Sequence, residues 1–159
     1  MLVSAKDRNI LRKLAGQVAE IAALPVQQET IALWKALNGL RPVRPMVMID
    51  QIPWHEMDVD GELTLLTEDS WCREIETRLR RTLYSWKHMR ADMVVESAFD
   101  VPKVIRSTGF GIHAVEERAF TDERNDVVSH HYIDQLKTEE DLAKLHAPEI
   151  WLDEEATAR

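Results

Sequence analysis

The sequence lacks several features that would assign a protein to a class at once. It has one cysteine, Cys72, in 159 residues, which excludes an internal disulfide and a cysteine-based metal cage. No apolar run approaches the ~20 residues of a membrane span, and residues 1–8 lack the apolar core of a signal peptide. A net charge of -8 argues against a nucleic-acid surface, which would need clustered Lys and Arg. We therefore expect a cytoplasmic globular protein without membrane or nucleic-acid partners.

The sequence is also poor in motifs that bind phosphate or metal. Gly109-Phe110-Gly111 lacks the third glycine and the strand-to-helix setting of a phosphate fingerprint. His130 and His131 could share one metal only from an irregular loop, with His55 or His113 as a third ligand, because neighbouring strand residues point to opposite faces. We therefore expect this chain to bind no metal, and a small metal hydrolase is the weakest alternative.

Residues 1–40 are predicted to form an N-terminal helical hairpin. Apolar residues recur at three- and four-residue steps in its first half, and Ser4 or Asp7 fits the cap position of a helix. Pro25 separates this helix from a second amphipathic stretch, which ends at Asn38-Gly39 with a typical C-terminal signal.

A third, longer helix is predicted over residues 70–88 from its apolar periodicity, with a cap between Thr67 and Asp69. Its arginines Arg78, Arg80 and Arg81 alternate with glutamates, which is typical of a solvated helix face. Cys72 lies early in this helix without an evident histidine partner, and we interpret it as a packing residue.

Several short segments are predicted to be strands. Residues 46–49 and 93–95 are continuous apolar runs, which suit strands buried on both faces of a parallel sheet. Residues 62–66 and 112–120 are further candidate strands, and a helical turn is predicted from Pro102. The long helix lies between the two apolar runs, so strand, helix and strand follow the βα pattern of an α/β sheet.

Four residues that follow the two apolar runs are the candidate substrate-binding residues. Trp54 and His55 follow the first run, and Glu96 and Asp100 follow the second, at the strand ends where α/β sheets bind ligands. Histidine titrates near neutrality, and a carboxylate there could handle a proton or hold a cationic or hydroxylated ligand. Structural alternatives stay open: a solvated His-Glu pair in the first loop, and capping of the turn at Pro102 by Asp100. No catalytic residue is assigned.

The last third of the chain carries a turn signal and two helix signals. Asp122 to Asp126 is predicted to be a polar turn, and Thr138 to Asp141 to cap a short helix that Pro148 ends. The chain stops at Arg159 inside a Glu/Ala-rich run that resembles the first turns of a helix. We therefore expect a fragment of a longer chain.

Three stretches resemble the N-terminal part of the uroporphyrinogen decarboxylase superfamily. Residues 44–50 resemble its first barrel strand, residues 91–102 with 109–112 its second strand and glycine-containing continuation, and residues 133–148 its linker into the next helix. These (β/α)8-barrel proteins include porphyrin decarboxylases and methylcobamide-dependent methyltransferases. The resemblance implies that residues 41–159 begin an incomplete (β/α)8, TIM-barrel-like α/β fold, which needs ~250 residues when complete.

Departures from the family motifs favour the corrinoid-dependent methyltransferase or demethylase branch. Where porphyrin decarboxylases carry an Arg-Gln-Ala-Gly-Arg segment that grips carboxylates, residues 50–55 contain no arginine. The family's Phe-Ser-Asp motif with its catalytic aspartate is absent around residues 96–100. The zinc ligands of the methyltransferase branch lie in the later barrel half, so the resemblance implies zinc and a corrinoid (cobalamin) only for a full-length parent. It also implies a small-molecule substrate and a corrinoid protein as partners.

Besides the small metal hydrolase, three functions stay open at this point. The leading hypothesis is part of the substrate pocket of such a barrel enzyme, with catalytic residues beyond Arg159, so that the chain alone is inactive. A uroporphyrinogen decarboxylase-type lyase is the first alternative. The second is a non-catalytic α+β module that forms homo-oligomers or docks on a partner through its helical hairpin and an unpaired sheet edge.

Overall fold

The computed structural model of the chain describes residues 3–120 and 128–158. The chain divides into two compact units, residues 1–99 (unit 1) and 100–159 (unit 2). The elements in chain order are α1 (Ala5–Ala22), α2 (Pro25–Asn38), α3 (Trp54–Met57), α4 (Ser70–His88), β1 (Ile105–Ser107), β2 (Val115–Ala119), β3 (Ser129–Ile133), a 3-10 helix (Glu139–Lys144), β4 (Ile150–Leu152) and α5 (Glu154–Thr157).

The fold mixes helices with two small antiparallel sheets, which confirms the α/β class in its general form. The described part of the chain contains no helix that is long and apolar enough to cross a bilayer. The division predicted at residue 40 stays a prediction, and the polar turn predicted at residues 122–126 lies outside the described residues.

Helices α1, α2 and α4 of unit 1 begin at the predicted signals. The Ser4 hydroxyl caps α1 by accepting from the Asp7 N–H at 3.0 Å, and the Asp69 carboxylate caps α4 by accepting from the Cys72 N–H at 3.0 Å. Pro25 occupies the first position of α2, where its missing N–H costs no helical hydrogen bond. The bounds of α4 coincide with the predicted range because its cap and its apolar face are both local signals.

Helix α1 packs on α4 around a small apolar core. Leu14 of α1 and Leu79 of α4 are buried, and Cys72 is completely inaccessible. Burial and a hydrogen bond with Asp69 raise the pKa of the Cys72 thiol, so this cysteine stays protonated and inert. Its environment agrees with a packing residue.

Buried polar side chains fasten these helices to the connecting segments. Asp7 of α1 is buried and accepts a hydrogen bond from the Asp69 N–H at 3.1 Å, which joins the start of α1 to the start of α4. Gln27 of α2 is also buried; it accepts from the Val95 N–H at 2.9 Å and donates to the Ile21 carbonyl at 3.2 Å. A buried amide that loses such partners is costly, so these contacts fix where residues 93–95 lie.

Glu76 makes the densest of these buried networks. Its carboxylate is completely buried and accepts from the Leu66 N–H at 3.0 Å, the Thr67 N–H at 2.8 Å and the Arg80 Nε at 2.7 Å. Burial alone would raise the pKa of Glu76, but hydrogen bonds from Thr67, Arg80 and Leu66 together lower it. The solvated face predicted for the arginines of α4 is wrong for Arg80, whose side chain is 13% exposed.

The strands predicted at residues 46–49, 62–66 and 93–95 are not formed in this chain, because across residues 3–120 and 128–158 none of these segments pairs in a sheet. The first and third are nevertheless neighbours. The Asp92 N–H donates to the Val47 carbonyl at 3.2 Å, and the Asp92 carboxylate accepts from the Val47 N–H at 2.8 Å. An apolar run signals burial or pairing, but a ladder forms only where a second strand offers matching backbone groups.

Asp92 is held by three further contacts in unit 1. The Arg44 guanidinium bonds both of its carboxylate oxygens, at 2.9 and 2.5 Å, and the Trp34 indole N–H donates to its carbonyl at 2.8 Å. Hydrogen bonds from Arg44 and from the Val47 N–H lower the pKa of Asp92 to about 2. The ionised Asp92 carboxylate therefore holds Arg44 and Val47 against the segment that follows α4.

This depressed pKa predicts a loss of stability in acid. Because the folded pKa of Asp92 is about 2 and an unfolded aspartate titrates near ~3.9, its contribution is complete above pH ~4 and disappears as the pH falls towards 2. The variant Asp92→Asn should lower stability at pH 7, and its difference from the wild type should vanish near pH 2. Denaturant unfolding of both proteins across this range measures it; a constant difference would contradict the assignment.

Unit 2 contains the two antiparallel sheets. Strand β1 pairs with β4, with Arg106 opposite Trp151, and β2 pairs with β3, with Glu117 opposite His131. The helical turn predicted from Pro102 is wrong, since the chain leads instead into β1. The strand predicted at 112–120 is confirmed over β2.

The helical signals near the end of unit 2 are confirmed. The side chains of Thr138 and Asp141 cap the 3-10 helix reciprocally, and the Asp153 carboxylate accepts from the Ala156 N–H at 2.9 Å at the start of α5. The cap at Thr138 was predicted from the sequence, because it involves residues three positions apart, whereas the cap at Asp153 was not.

Candidate functional site

Trp54 lies at the start of α3 and is fixed by two residues of α4. Its ring meets the Tyr84 ring edge-on, with centroids 6.0 Å apart at an angle of 77°. The Arg81 guanidinium carbon lies 5.0 Å from the centre of the Trp54 ring, within the range of a cation–π interaction. The first candidate loop is therefore anchored on α4, and Trp54 is partly buried.

His55 and Glu56 form a weak pair at the same loop. The His55 Nε2 lies 3.4 Å from the Glu56 Oε1, the imidazole is 19% exposed, and the glutamate side chain is 66% exposed. A glutamate in this position can orient the ring. The pair is accessible to a ligand and to solvent.

Glu96 directly follows the buried Val95 and is exposed at the border of two grooves in unit 1. The first groove has a volume of about 250 Å³, and its walls are mostly apolar side chains of α1 and α4 with Phe99. The second, of about 420 Å³, lies between α2 and the two extended segments and includes Met48 and Met93. A carboxylate at the edge of apolar grooves can hold a cationic or hydroxylated group of an apolar ligand.

The structure places two of the four candidate residues side by side. Trp54 and His55 are adjacent on α3. Within the described residues, no hydrogen bond, ion pair or ring contact joins Glu96 to either of them. Asp100 is the first residue of unit 2. The helical turn that it was expected to cap is not formed, because the chain leads into β1.

Sequence reasoning missed the arginines that support the two candidate loops. The Arg78 guanidinium lies 4.2 Å from the centre of the Phe99 ring, and Arg81 covers Trp54 in the same way. Arg78 and Arg81 are one helical turn apart on α4, so a single helix face contacts the loop after each apolar run. The sequence shows arginines on a predicted helix and aromatic residues in the loops outside it. Only the folded structure shows which arginine contacts which ring.

Glu62 joins the same face of α4 near its end. Hydrogen bonds from Lys87 and then His88 lower the pKa of Glu62, with the Lys87 Nζ at 2.6 Å and the His88 Nε2 at 3.2 Å. The His88 ring in turn lies 4.4 Å from the Tyr84 ring, which touches Trp54. The loop of residues 58–64 and the Trp54 loop are therefore tied to one end of α4.

The other histidines do not assemble a metal centre. His130 Nδ1 lies 2.8 Å from a carboxylate oxygen of Glu116, as an ordinary cross-strand pair of the β2–β3 sheet. Across residues 3–120 and 128–158 there is no group of three or more His, Cys, Asp or Glu side chains placed to hold a metal ion.

The candidate site is thus a set of two loops, carrying Trp54 with His55 and Glu96 with Phe99, that are held against one face of α4. Comparisons with protein-family models, with curated proteins and with solved structures found no match. The function of this site therefore rests on its own geometry.

Proposed function

We propose that this chain forms the N-terminal part of a barrel enzyme similar to uroporphyrinogen decarboxylase, most like the corrinoid-dependent methyl-transfer or demethylation branch. In this proposal Trp54, His55 and Glu96 supply one wall of the substrate pocket. The Trp54 ring bounds the pocket, His55 handles a proton, and the Glu96 carboxylate holds a cationic or hydroxylated group. The remaining walls belong to further barrel units.

The observation that carries the proposal is the state of the two apolar segments. Residues 46–49 and 93–95 are joined near their beginnings by one backbone hydrogen bond, from the Asp92 N–H to the Val47 carbonyl, and by one from the Val47 N–H to the Asp92 carboxylate. Yet Val47 is 55% exposed, and Met48 is 73% exposed. Such apolar segments are typical of strands that further βα units cover on both faces.

The charge of the first loop supports methyl transfer over porphyrin decarboxylation. Asp50 and Glu56 lie on either side of Trp54, and carboxylates there repel a substrate that carries several carboxylates itself. Arg81 adds one guanidinium beside Trp54, but its face is already used against the indole ring. An uncharged or cationic small molecule fits this loop better.

Zinc and the corrinoid enter the proposal only as groups of the longer parent protein. The described residues do not fit a zinc site, since they contain no cluster of three or more suitable side chains. A corrinoid would carry the methyl group on its cobalt. The contribution of this chain would be limited to apolar contact by Trp54 and to proton handling by His55.

Trp54→Ala in the product of the whole reading frame tests the proposal. We expect this variant to slow methyl transfer from methylcobalamin to an added thiol, which leaves cob(I)alamin, about ten- to a hundredfold, because the pocket wall shifts or opens. Loss of the methylcobalamin absorbance measures the rate. Trp71→Ala is the matched control, since Trp71 is 52% exposed on α4 and has no part in the site, and it should leave the rate unchanged.

Three outcomes would contradict the proposal. Equal losses from both tryptophan variants would show that the effect is not local to the pocket. Turnover by residues 1–159 alone would remove the need for further barrel units. Uroporphyrinogen decarboxylation without methylcobalamin demethylation would select the lyase alternative.

A further inference from the structure

The β2–β3 hairpin of unit 2 stands out because almost nothing covers it. Every residue of β3 is exposed, and so is every residue of β2 except the partly buried Glu116. Its exposed apolar residues include Val115, which is 44% exposed, and Tyr132, which is 64% exposed. A two-stranded sheet is marginally stable by itself in water, so an added strand would stabilise it.

The two edges of this hairpin differ in charge. Strand β2 has charged side chains at three of its five positions, namely Glu116, Glu117 and Arg118. Strand β3, Ser129–Ile133, has neither a permanently charged residue nor a proline. Charged residues and prolines are the usual protection of an edge strand against pairing with another chain. The β3 edge is therefore the unprotected one.

The sequence of β3 is complementary to itself in the antiparallel direction. Pairing two copies about His131 sets His130 opposite Tyr132 of the second copy, and Ser129 opposite Ile133 of the second copy. Within one chain the His130 and Tyr132 rings already stack, with centroids 5.8 Å apart and planes at 9°. Two copies would thus join these rings into one row, and aromatic cross-strand pairs stabilise a sheet.

The side chains that would lie opposite each other at the centre of such a sheet also favour pairing through β3 over pairing through β2. His131 lies opposite Glu117 in the β2–β3 register, so two central imidazoles would be flanked by two carboxylates. Pairing through β2 would instead place Glu117 directly opposite Glu117 of the second copy. Like charges in directly opposite positions destabilise a sheet.

We propose that this chain self-associates through the β3 edge, which pairs antiparallel with β3 of a second copy about a two-fold axis at His131. The result is a four-stranded sheet in the order β2, β3, β3 and β2. This inference is independent of the barrel assignment, because it uses only the hairpin of unit 2.

Thiol crosslinking tests the pairing and its register. In the proposed sheet the two copies of position 131 lie ~5 Å apart across the axis, whereas the two copies of position 117 lie ~14 Å apart, three strand spacings away. With a crosslinker that reaches about half the longer distance, His131→Cys should give at least ~10 times as much covalent dimer as Glu117→Cys. The buried native Cys72 should not react, and the unsubstituted chain serves as the background.

Sedimentation of the unsubstituted chain guards against an effect of the introduced thiol. It should show a monomer–dimer equilibrium that His131→Lys shifts to monomer, because two ammonium groups then meet on the axis. His113→Lys, at an exposed position of the same unit outside the hairpin, should leave the equilibrium unchanged. Equal crosslinking at both positions, stronger crosslinking at position 117, or a monomer at all concentrations would overturn the proposal.

Discussion

Replacing Glu76 by alanine is expected to lower the free energy of unfolding by about 3–5 kcal/mol. The buried carboxylate accepts from two backbone N–H groups, at Leu66 and Thr67, and from the side chains of Thr67 and Arg80. Alanine accepts none of these hydrogen bonds. It also leaves the Arg80 guanidinium, which is only 13% exposed, without its counter-ion. Denaturant unfolding monitored by circular dichroism measures the change.

One companion variant separates the charge of residue 76 from its hydrogen bonding, and a second variant serves as the control. Glu76→Gln keeps one acceptor oxygen but loses the charge, so it should lie between wild type and Glu76→Ala. Because the folded pKa of Glu76 is lowered, its ionic contribution is complete above pH ~4.5 and is lost as the pH falls further. Glu74→Ala, at an exposed position of the same helix, should change nothing measurable. Equal effects at positions 74 and 76 would contradict the network.

Replacing Gly111 by alanine is expected to destabilise unit 2 by about 3 kcal/mol or more. Gly111 has φ +87°, and a Cβ there would lie 1.9 Å from the Lys144 carbonyl oxygen and 2.8 Å from the His146 ring. The chain on both sides is held close by the hydrogen bond from the His146 N–H to the Phe110 carbonyl, at 3.1 Å. The methyl group must therefore force these two segments apart.

Gly109→Ala is the matched control for backbone strain. Gly109 also has a positive φ, +74°, but its nearest neighbour to an added Cβ is the His113 ring at 4.0 Å. Its substitution should cost only the ~1–2 kcal/mol of a left-handed non-glycine residue. Thermal unfolding gives both values, and exchange of the His146 amide reports the local opening. Similar losses for the two variants would show that steric contact with residues 144–146 is unimportant.

Those elements that depend on neighbouring residues could be predicted from the sequence. The caps at Ser4, Asp69 and Thr138 satisfy backbone groups within three residues, so their effect is local. The long helix at 70–88 combines such a cap with a sustained apolar face. A short apolar run carries no comparable local signal, because the pairing of a strand depends on a partner strand far away in sequence.

The predicted strands at 46–49 and 93–95 show this limit. Their composition is typical of buried strands, and Asp92 does bring them together, but within the described residues neither has a ladder partner. The buried anchors Gln27 and Glu76 were equally invisible, since a polar residue on a helix usually faces solvent.

The candidate site was predictable as positions but not as an arrangement. The sequence indicates Trp54, His55 and Glu96 as candidates because each follows an apolar run. Each supporting arginine is more than 20 positions in sequence from the ring that it covers, Arg78 from Phe99 and Arg81 from Trp54. The alternating charges of α4 predicted instead that these arginines face solvent. Only packing of the loops on α4 makes these arginines part of the site.

Amide hydrogen exchange at Met48, Ile49 and Val94 tests the central proposal, that the two apolar segments become barrel strands in a longer parent protein. In residues 1–159 alone these amides should exchange quickly, because the segments have no ladder partner in the part of the chain that the structure describes. In the product of the whole reading frame they should exchange at least ~100 times more slowly, as amides of paired core strands do. Equally fast exchange in both proteins would contradict the barrel assignment and favour the self-associating module.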